Sequence, residues 1–344
     1  MIGLSLALRL KERSLKVLIV ERREPASEAT HAAGGMIARC DAHIPATLLP
    51  MVHDSARIYP EFVHEVEAES GERVDLRDTG TLAIFAEDEL PSCRDARQIA
   101  TSEIESIERN LRIFGKAWFL PEQSVDPRAL GQALAKAARN CGVDFVTGST
   151  VRELLIAHNR ADGVRTEHSA YHAGVVVNCA GAWAAQIGPF PIPTRPVKGQ
   201  MLCVVPQSGA SHNNPLIRHV VRTPEVYIIP RSDGRILLGA TVEEAGFDKQ
   251  TDPEIIKGLF DAGIRVAPVL KNSRIHDAWA GLRPGTPDTL PILGETRLPG
   301  YYAATGHFRD GIMLAPITAE LMAELITTGQ TRLDLSPFTP LRFG

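Results

Sequence analysis

The opening stretch MIGLSLALRLKERSLKVLIVER constrains the fold more than any other part of the chain. Gly3, an apolar run to Leu10, a basic turn, the β-branched stretch Val17 to Val20 and Glu21 follow the order of the later part of a dinucleotide-binding βαβ unit. A full unit reads strand, GxGxxG, helix, and Met1, Ile2 and Gly3 supply only the last three fingerprint positions. The expectation is a helix from Ile2 and a strand ending at Glu21, with the first strand and two glycines of the phosphate loop missing, an N-terminal truncation. A start codon set too late is the favoured cause and a real deletion the minor one. The gap would expose strand edges beside Val17 to Val20 and weaken the hold on a pyrophosphate.

Composition narrows the class. At 344 residues, 44% hydrophobic and 23% charged, the chain can bury a large core and divide into two domains. Thirty-seven basic against 41 acidic residues, with no long run of one sign, argue against a nucleic-acid track or polybasic anchor and favour small-molecule partners. No run approaches the roughly 20 apolar residues of a membrane span, and Ile2 to Leu10 lacks the flanks of a signal peptide. Cys40, Cys93, Cys141, Cys179 and Cys203 are odd in number and free of CxxC, which reads as reduced thiols in a cytoplasmic protein.

Further along, SVDPRALGQALAKAARNCGVDFVTG predicts a helix with Asp126 as N-cap, Pro127 at its first position and Gly142 as its stop, then a strand at Val143 to Val146. Val175 to Val177 reads as a buried strand running into Ala180, Gly181 and Ala182, small residues that admit a ligand. From about Arg195 to Asp277 the short strands QMLCVVP, EVYIIPR and GRILLGATV predict a separate antiparallel sheet. The last third returns to strand, glycine turn and helix, so the nucleotide part is discontinuous. Glu21 stands where an acidic side chain accepts the ribose hydroxyls of an adenosine, and is equally readable alone as a solvated strand end. His168 and His172 have helical ligand spacing but lie in a turn entering a strand, so no metal is expected.

Two arginines, Arg283 in AWAGLRPGTPDTLPILGE and Arg309 in ATGHFRDGI, sit among apolar and turn residues and need anionic partners. Through WAGLRPGTPDTLPILG, GHFRDGIMLAP, VYIIPRSDGRILLGAT, PVKGQ and AAGGMI, the chain from residue 1 to about 330 closely resembles the glycine oxidases of the FAD-dependent D-amino-acid oxidase superfamily.

The resemblance implies an α/β fold: a Rossmann-like FAD-binding domain, its first strand missing, at 1–48, 119–195 and 278–344, and an α+β substrate domain with an antiparallel sheet at 49–118 and 196–277. It gives Arg283 the bidentate pair with a substrate carboxylate, Tyr227 a phenolic hydrogen bond to it, and Arg309 a place closing the site. It places noncovalent FAD along Ile2, Gly3, Glu21, Arg22, Ala29, Thr30, Gly34, Gly35, Met36 and Val151, and along His307, Phe308, Arg309, Asp310, Gly311, Ile312 and Met313. Met201 and Val242, taken as strand residues, are candidates to shape the side-chain pocket. Asp310 stands where Asn is expected, either adding negative charge near the flavin or pairing with Arg309. The implied activity is oxidation of glycine or another small amino acid by oxygen, giving the imino acid and hydrogen peroxide, in supply of thiamine thiazole biosynthesis. The alternatives are a D-amino-acid or sarcosine oxidase, a quinone-linked dehydrogenase, or an inactive flavoprotein fragment acting through protein contacts. A homo-oligomer is left open.

Overall fold

The computed structural model describes residues 1–85, 91, 93–112, 116–190, 192–207 and 215–344. Helix α1 spans Ile2–Glu12 and strand β1 Leu18–Val20, in the order the opening spacing predicts. Because α1 is covered on several sides, Ser5 and Leu6 are buried along with Leu4, Ala7, Leu8 and Leu10. Arg9 therefore turns to carboxylates, meeting Glu65 at 2.6 Å and Glu12 at 2.7 Å.

The short α2 (Ala29–Ala32) and β2 (Met36–Ile37) lead to α3 (Leu49–Ser70), which Gly71 ends at φ 69°. Then come β3 (Leu76–Arg77), β4 (Thr81–Ile84), β5 (Arg97–Ile99), α4 (Thr101–Ile107), β6 (Ala117–Leu120) and β7 (Gln123–Val125). Helix α5 (Pro127–Asn140) starts as its sequence dictates: the Asp126 carboxylate accepts the N–H groups of Arg128 and Ala129, and Pro127 occupies a position that needs no N–H. Gly142, at φ 78°, turns the chain into β8 (Asp144–Val146).

Strands β9 (Val151–Ala157), β10 (Arg160–Thr166) and β11 (Ala170–His172) form an antiparallel layer before β12 (Val176–Asn178). The second half continues with β13 (Arg195–Pro206), β14 (Val220–Arg222), β15 (Tyr227–Pro230), β16 (Ile236–Gly239) and α6 (Pro253–Val266). The chain closes with β17 (Ser273–Gly285), β18 (Ile292–Glu295), β19 (Tyr301–Thr305) and α7 (Ala315–Thr328).

On the nucleotide side β1 pairs in parallel with β8, while β12 pairs in parallel with β19, which carries β18 on its other edge. Among the described residues these are two separate sheets, and a cavity lined by Leu18, Val20, Val175 and Val177 runs between them. One core joins α1, α3, α5 and α7 through residues such as Leu6, Tyr59, Leu134 and Leu321. Helix α3 thus packs on the nucleotide side although it falls in the stretch 49–118 expected to belong to the other domain.

The second sheet is wider than the Arg195 to Asp277 stretch suggests. Its eight strands run β17-β13-β16-β15-β14-β4-β6-β5, and β14 pairs with β4 in parallel, so it is antiparallel at every other junction. β17 continues past residue 277 to Gly285 because it follows β13 along nearly its whole length, from Pro206↔Ser273 to Arg195↔Gly285. Helix α6 covers one face, burying Ile256, Leu259 and Ala262 against Leu202 and Leu238.

The reading of all five cysteines as thiols is corrected. Cys40 and Cys93 form a disulfide with Cα atoms 4.9 Å apart; Cys141, Cys179 and Cys203 are free. The fold brings together positions 53 residues apart, which spacing could not reveal. Among the described residues no helix is long and apolar enough to cross a membrane.

Candidate active site

A single cavity of about 1910 Å³ reaches from the start of α1 to the face of the eight-stranded sheet, well above the roughly 300–1,000 Å³ of a small-ligand pocket. At one end it is lined by Ile2 and Gly3, by Glu21 and Arg22 at the end of β1, by Ala29, Thr30, Gly34, Gly35 and Met36, and by Val151. His307, Phe308, Arg309, Asp310, Gly311 and Ile312 line it from the turn after β19, and Met201, Tyr227 and Arg283 from the sheet. Met313 departs from expectation. It points into the core, 2% exposed, and its carbonyl accepts the Ser55 hydroxyl at 2.6 Å, because the turn has begun to wind toward α7.

The glycine pair is where the two sides touch. Gly35 stands at φ 76°, and a Cβ there would lie 2.0 Å from the Val125 carbonyl oxygen; one on Gly34 would lie 2.7 Å from the Ile229 side chain. Arg231 donates to the Gly34 carbonyl at 2.6 Å. Beside them the Trp279 indole donates to the Ala32 carbonyl at 3.1 Å, bringing α2 onto β17.

Arg283 is set by its strand pairing. It lies opposite Val197 on β13, and two residues on, a Cβ at Gly199 would fall 2.2 Å from its guanidinium. That glycine, in PVKGQ, leaves room for the arginine to lie across the strand. Its Nη1 donates to the carbonyls of Lys198 at 3.3 Å and Thr241 at 3.0 Å, and no carboxylate pairs with it among the described residues. Most of the five-donor fork is thereby available to an outside anion. The Tyr227 hydroxyl lies within hydrogen-bond reach of Arg283; burial pushes the phenol above its usual range, with Arg283 and Arg309 pulling the other way. Phe308, at φ 47°, donates its N–H to the Pro284 carbonyl at 3.1 Å, tying the Arg309 turn to the Arg283 strand.

Arg309 is exposed and lines the cavity, and its charge is felt by two carboxylates, Asp41 and Asp310, without an ion pair to either among the described residues. Burial pushes Asp310 up to about 6, against the pull of Arg309, with Asp41 adding to the rise. The milder of its two expected roles, a simple pair with Arg309, therefore does not hold its carboxyl in the ordinary range. His307 is buried, meets the Thr318 hydroxyl through Nε2 at 3.0 Å, and is pushed by burial down to about 3, which leaves it neutral.

Several cavity residues have no counterpart in the sequence reading. Arg222, from β14, meets Asp41 at 3.1 Å and the buried Glu122 at 3.3 Å. Glu122 also accepts the Cys40 N–H at 2.8 Å. Val242 is displaced from its expected strand: β16 ends at Gly239, and Val242 lies 64% exposed in segment 240–252. That segment straps across to the nucleotide side. Its Phe247 ring packs on Trp183 with centroids 5.3 Å apart, Arg22 lies over Trp183 at 3.5 Å, and Lys249 meets Glu28 at 2.9 Å. Glu28 also pairs with Arg22 at 2.6 Å. His172, which lines the cavity, meets Asp162 at 2.8 Å, and among the described residues it forms no converging ligand set with His168.

The model of the FAD-dependent oxidoreductase family, DAO, matches residues 1–325. The chain belongs to that family. Bifunctional protein ThiO/ThiG of Synechocystis sp. is 34% identical over 99% of this chain and 52% of its own, so the chain spans about half the length of that curated relative. Hydrogen cyanide synthase subunit HcnC of Pseudomonas aeruginosa is 31% identical over 99% of this chain and 94% of its own. The crystal structure of glycine oxidase from Geobacillus kaustophilus superposes with a TM-score of 0.90 at 27% identity, covering 98% of this chain and 95% of that one.

A family member uses FAD, and the cavity fits it. The start of α1 opens on the cavity with no acidic residue in its first turn, as an anion requires, and Glu21 stands at the end of the adjacent strand. The volume holds a dinucleotide and a small molecule together. Neither Cys40 nor Cys93, joined to each other, is available for a covalent link.

Proposed function

We propose that this chain oxidises glycine or another small amino acid to the imino acid and passes the electrons to oxygen as hydrogen peroxide. The observation that carries the reading is Arg283: a guanidinium positioned by two backbone carbonyls, near the Tyr227 phenol and unpaired with any described carboxylate, at the sheet end of a cavity of dinucleotide size. An amino-acid carboxylate supplies the missing charge and the planar geometry.

Ile2 and Gly3 would hold the pyrophosphate, Glu21 the ribose hydroxyls, with Arg22, Ala29, Thr30 and Val151 around the adenosine. Gly34, Gly35, Met36 and His307 to Ile312 would surround the flavin. The proposed division assigns 1–48, 119–195 and 278–344, now joined by α3, to FAD binding and the rest to substrate. Bound FAD supplies a two-electron acceptor for the Cα–H bond of the amine. The protein's part is orientation: Arg283 and Tyr227 fix the carboxylate, Arg309 closes beside it, and Met201 restricts the side chain. Buried, neutral His307 needs no acid–base role.

The ThiO/ThiG relatives support a place in thiamine biosynthesis, feeding thiazole formation. A second reading, favoured by HcnC, makes the chain a subunit of a cyanide-releasing enzyme. The test is a coupled peroxide assay of FAD-loaded protein with glycine, sarcosine and D-alanine, together with cyanide detection. Peroxide with glycine and anaerobic bleaching of the flavin support the first reading. Bleaching followed by cyanide rather than peroxide supports the second, and no bleaching with any amino acid refutes both.

A further inference from the structure

We propose that Gln200 is a positioning residue for the substrate carboxylate: its buried amide clamps both ends of segment 240–252 to β13, and the clamped segment aims the Arg283 guanidinium through the Thr241 carbonyl. This rests on the amino-acid oxidase reading and adds to it a residue outside the cavity lining. In PVKGQ the glycine makes room for Arg283, and the glutamine after it is fully buried. Pairing of β13 with β16 stops at Met201↔Gly239, so from Gln200 back to Lys198 the edge of β13 is covered by segment 240–252 rather than by a strand. The cover is fixed at residue 200. The Gln200 N–H donates to the Thr241 hydroxyl at 2.8 Å, and the Gln200 carbonyl accepts the Thr241 N–H at 3.4 Å. Its Nε2 donates to both oxygens of Glu243, at 3.0 and 3.1 Å, and its Oε1 accepts the Asp252 N–H at 2.7 Å, where the segment ends and α6 begins.

An amide is the group this position requires. The Glu243 carboxylate can only accept and the Asp252 N–H can only donate, which fixes the orientation of the amide and occupies both of its ends. A carboxylate in its place would face that of Glu243, and an apolar side chain would bond neither partner. Thr241 is held through its backbone and through its hydroxyl, which also donates to Glu243. The effect falls on Arg283, whose Nη1 has two backbone acceptors of unlike origin. The Lys198 carbonyl, at 3.3 Å, belongs to β13; the Thr241 carbonyl, at 3.0 Å, belongs to the segment. The Lys198↔Glu243 bridge and the Lys198–Asp248 ion pair at 2.8 Å keep the segment attached without the amide, so losing the amide shifts Thr241 rather than detaching the strap. The guanidinium then loses the shorter of its two bonds. A planar fork that meets a carboxylate at two points tolerates little rotation.

The test compares Gln200→Met, close in volume and without the amide, with the unaltered FAD-loaded protein. The KM for glycine and the dissociation constant of acetate, read from its perturbation of the flavin spectrum, should each rise about tenfold or more while kcat changes less than about threefold, because the lost interaction is shared by bound substrate and transition state. Flavin content per chain should stay the same. A merely structural role would lower kcat together with flavin content and leave the acetate affinity of the loaded protein unmoved, which would overturn the proposal. Glu243→Ala breaks the same bond from a half-buried position and should raise KM in the same direction even where Gln200→Met does not fold; an unchanged KM there refutes the clamp. A crystal structure of the FAD-loaded variant reads the positioning without turnover. The Thr241 carbonyl should be displaced from Arg283, and an unmoved contact refutes the role of Gln200. A displaced contact in a protein that neither oxidises amino acids nor binds acetate upholds the clamp and refutes only the oxidase reading.

Discussion

The two ends of the cavity are built by opposite means. At the nucleotide end, neighbours in sequence become neighbours in space: Gly3, α1, β1 and Glu21 follow one another within 21 residues. At the sheet end the groups come from far apart, the Asp41 side chain meeting Arg222 across 181 positions and the Phe308 backbone N–H reaching the Pro284 carbonyl from the turn after β19. The first kind of site is written as a motif; the second exists only once the strands have paired.

Substitutions should separate the two ends. The largest effect is expected at Arg283. Replacing it with Ala removes a partner from a desolvated charge pair and should cost about 2–5 kcal/mol of transition-state binding, while FAD content per chain stays the same. Loss of flavin colour in Arg283→Ala would show that the ends are not separable.

Next is pH, read through two groups on the turn that joins the ends. Asp310, pushed up to about 6, disfavours the fold when ionised: the penalty is present above pH 6 and is relieved as pH falls toward the ordinary carboxyl range. By its size it is worth about 3 kcal/mol at most. His307, pushed down to about 3, works the other way, since the unfolded chain takes up a proton below about 6.5 that the folded one refuses. The melting temperature of FAD-loaded Asp310→Asn should exceed that of the unaltered protein at pH 7.5, and should fall more steeply toward pH 5 because the gain from protonating Asp310 no longer offsets the loss at His307. Parallel curves would remove Asp310 from the account.

Gly199→Ala sharpens the comparison at smaller scale. The added Cβ meets the Arg283 guanidinium, and overpacking of this kind costs about 1–3 kcal/mol. The loss should appear in kcat/KM for the amino acid, with flavin retained; unchanged kinetics would mean that the arginine has room to shift. Smallest is Asp126→Ala, which removes the α5 cap and should cost about 1 kcal/mol in denaturant unfolding with KM unaltered. A change in KM there would show that the cap helix carries strain to the site.

What could be read in the sequence follows the same division. The start of α5 was legible because Asp126 and Pro127 act on their own local backbone, and Arg283 because an arginine among glycines and prolines in an apolar stretch calls for a partner. Asp41 and Arg222 were not, since neither RCDAH nor VVRTPEV holds a local signal of the other. The Cys40–Cys93 disulfide escaped for the same reason. Met313 was misplaced by one step of a helical turn, where moving a residue along the chain rotates it from lining to core. Val242 lines the cavity, but from beyond the end of β16 at Gly239, where only an isolated bridge, Lys198↔Glu243, continues the pairing with β13.

The strap at 240–252 is held differently on its two sides. On the nucleotide side it is fastened by the Lys249–Glu28 ion pair and by the Phe247–Trp183 and Arg22–Trp183 ring contacts, while on the sheet side the Lys198↔Glu243 bridge and the Lys198–Asp248 ion pair hold it to β13. Such fastenings let go one at a time, and the ionic one is weakened by dissolved salt while the stacked one is not. Raising the salt concentration should therefore loosen the nucleotide-side attachment of the segment before its sheet-side one.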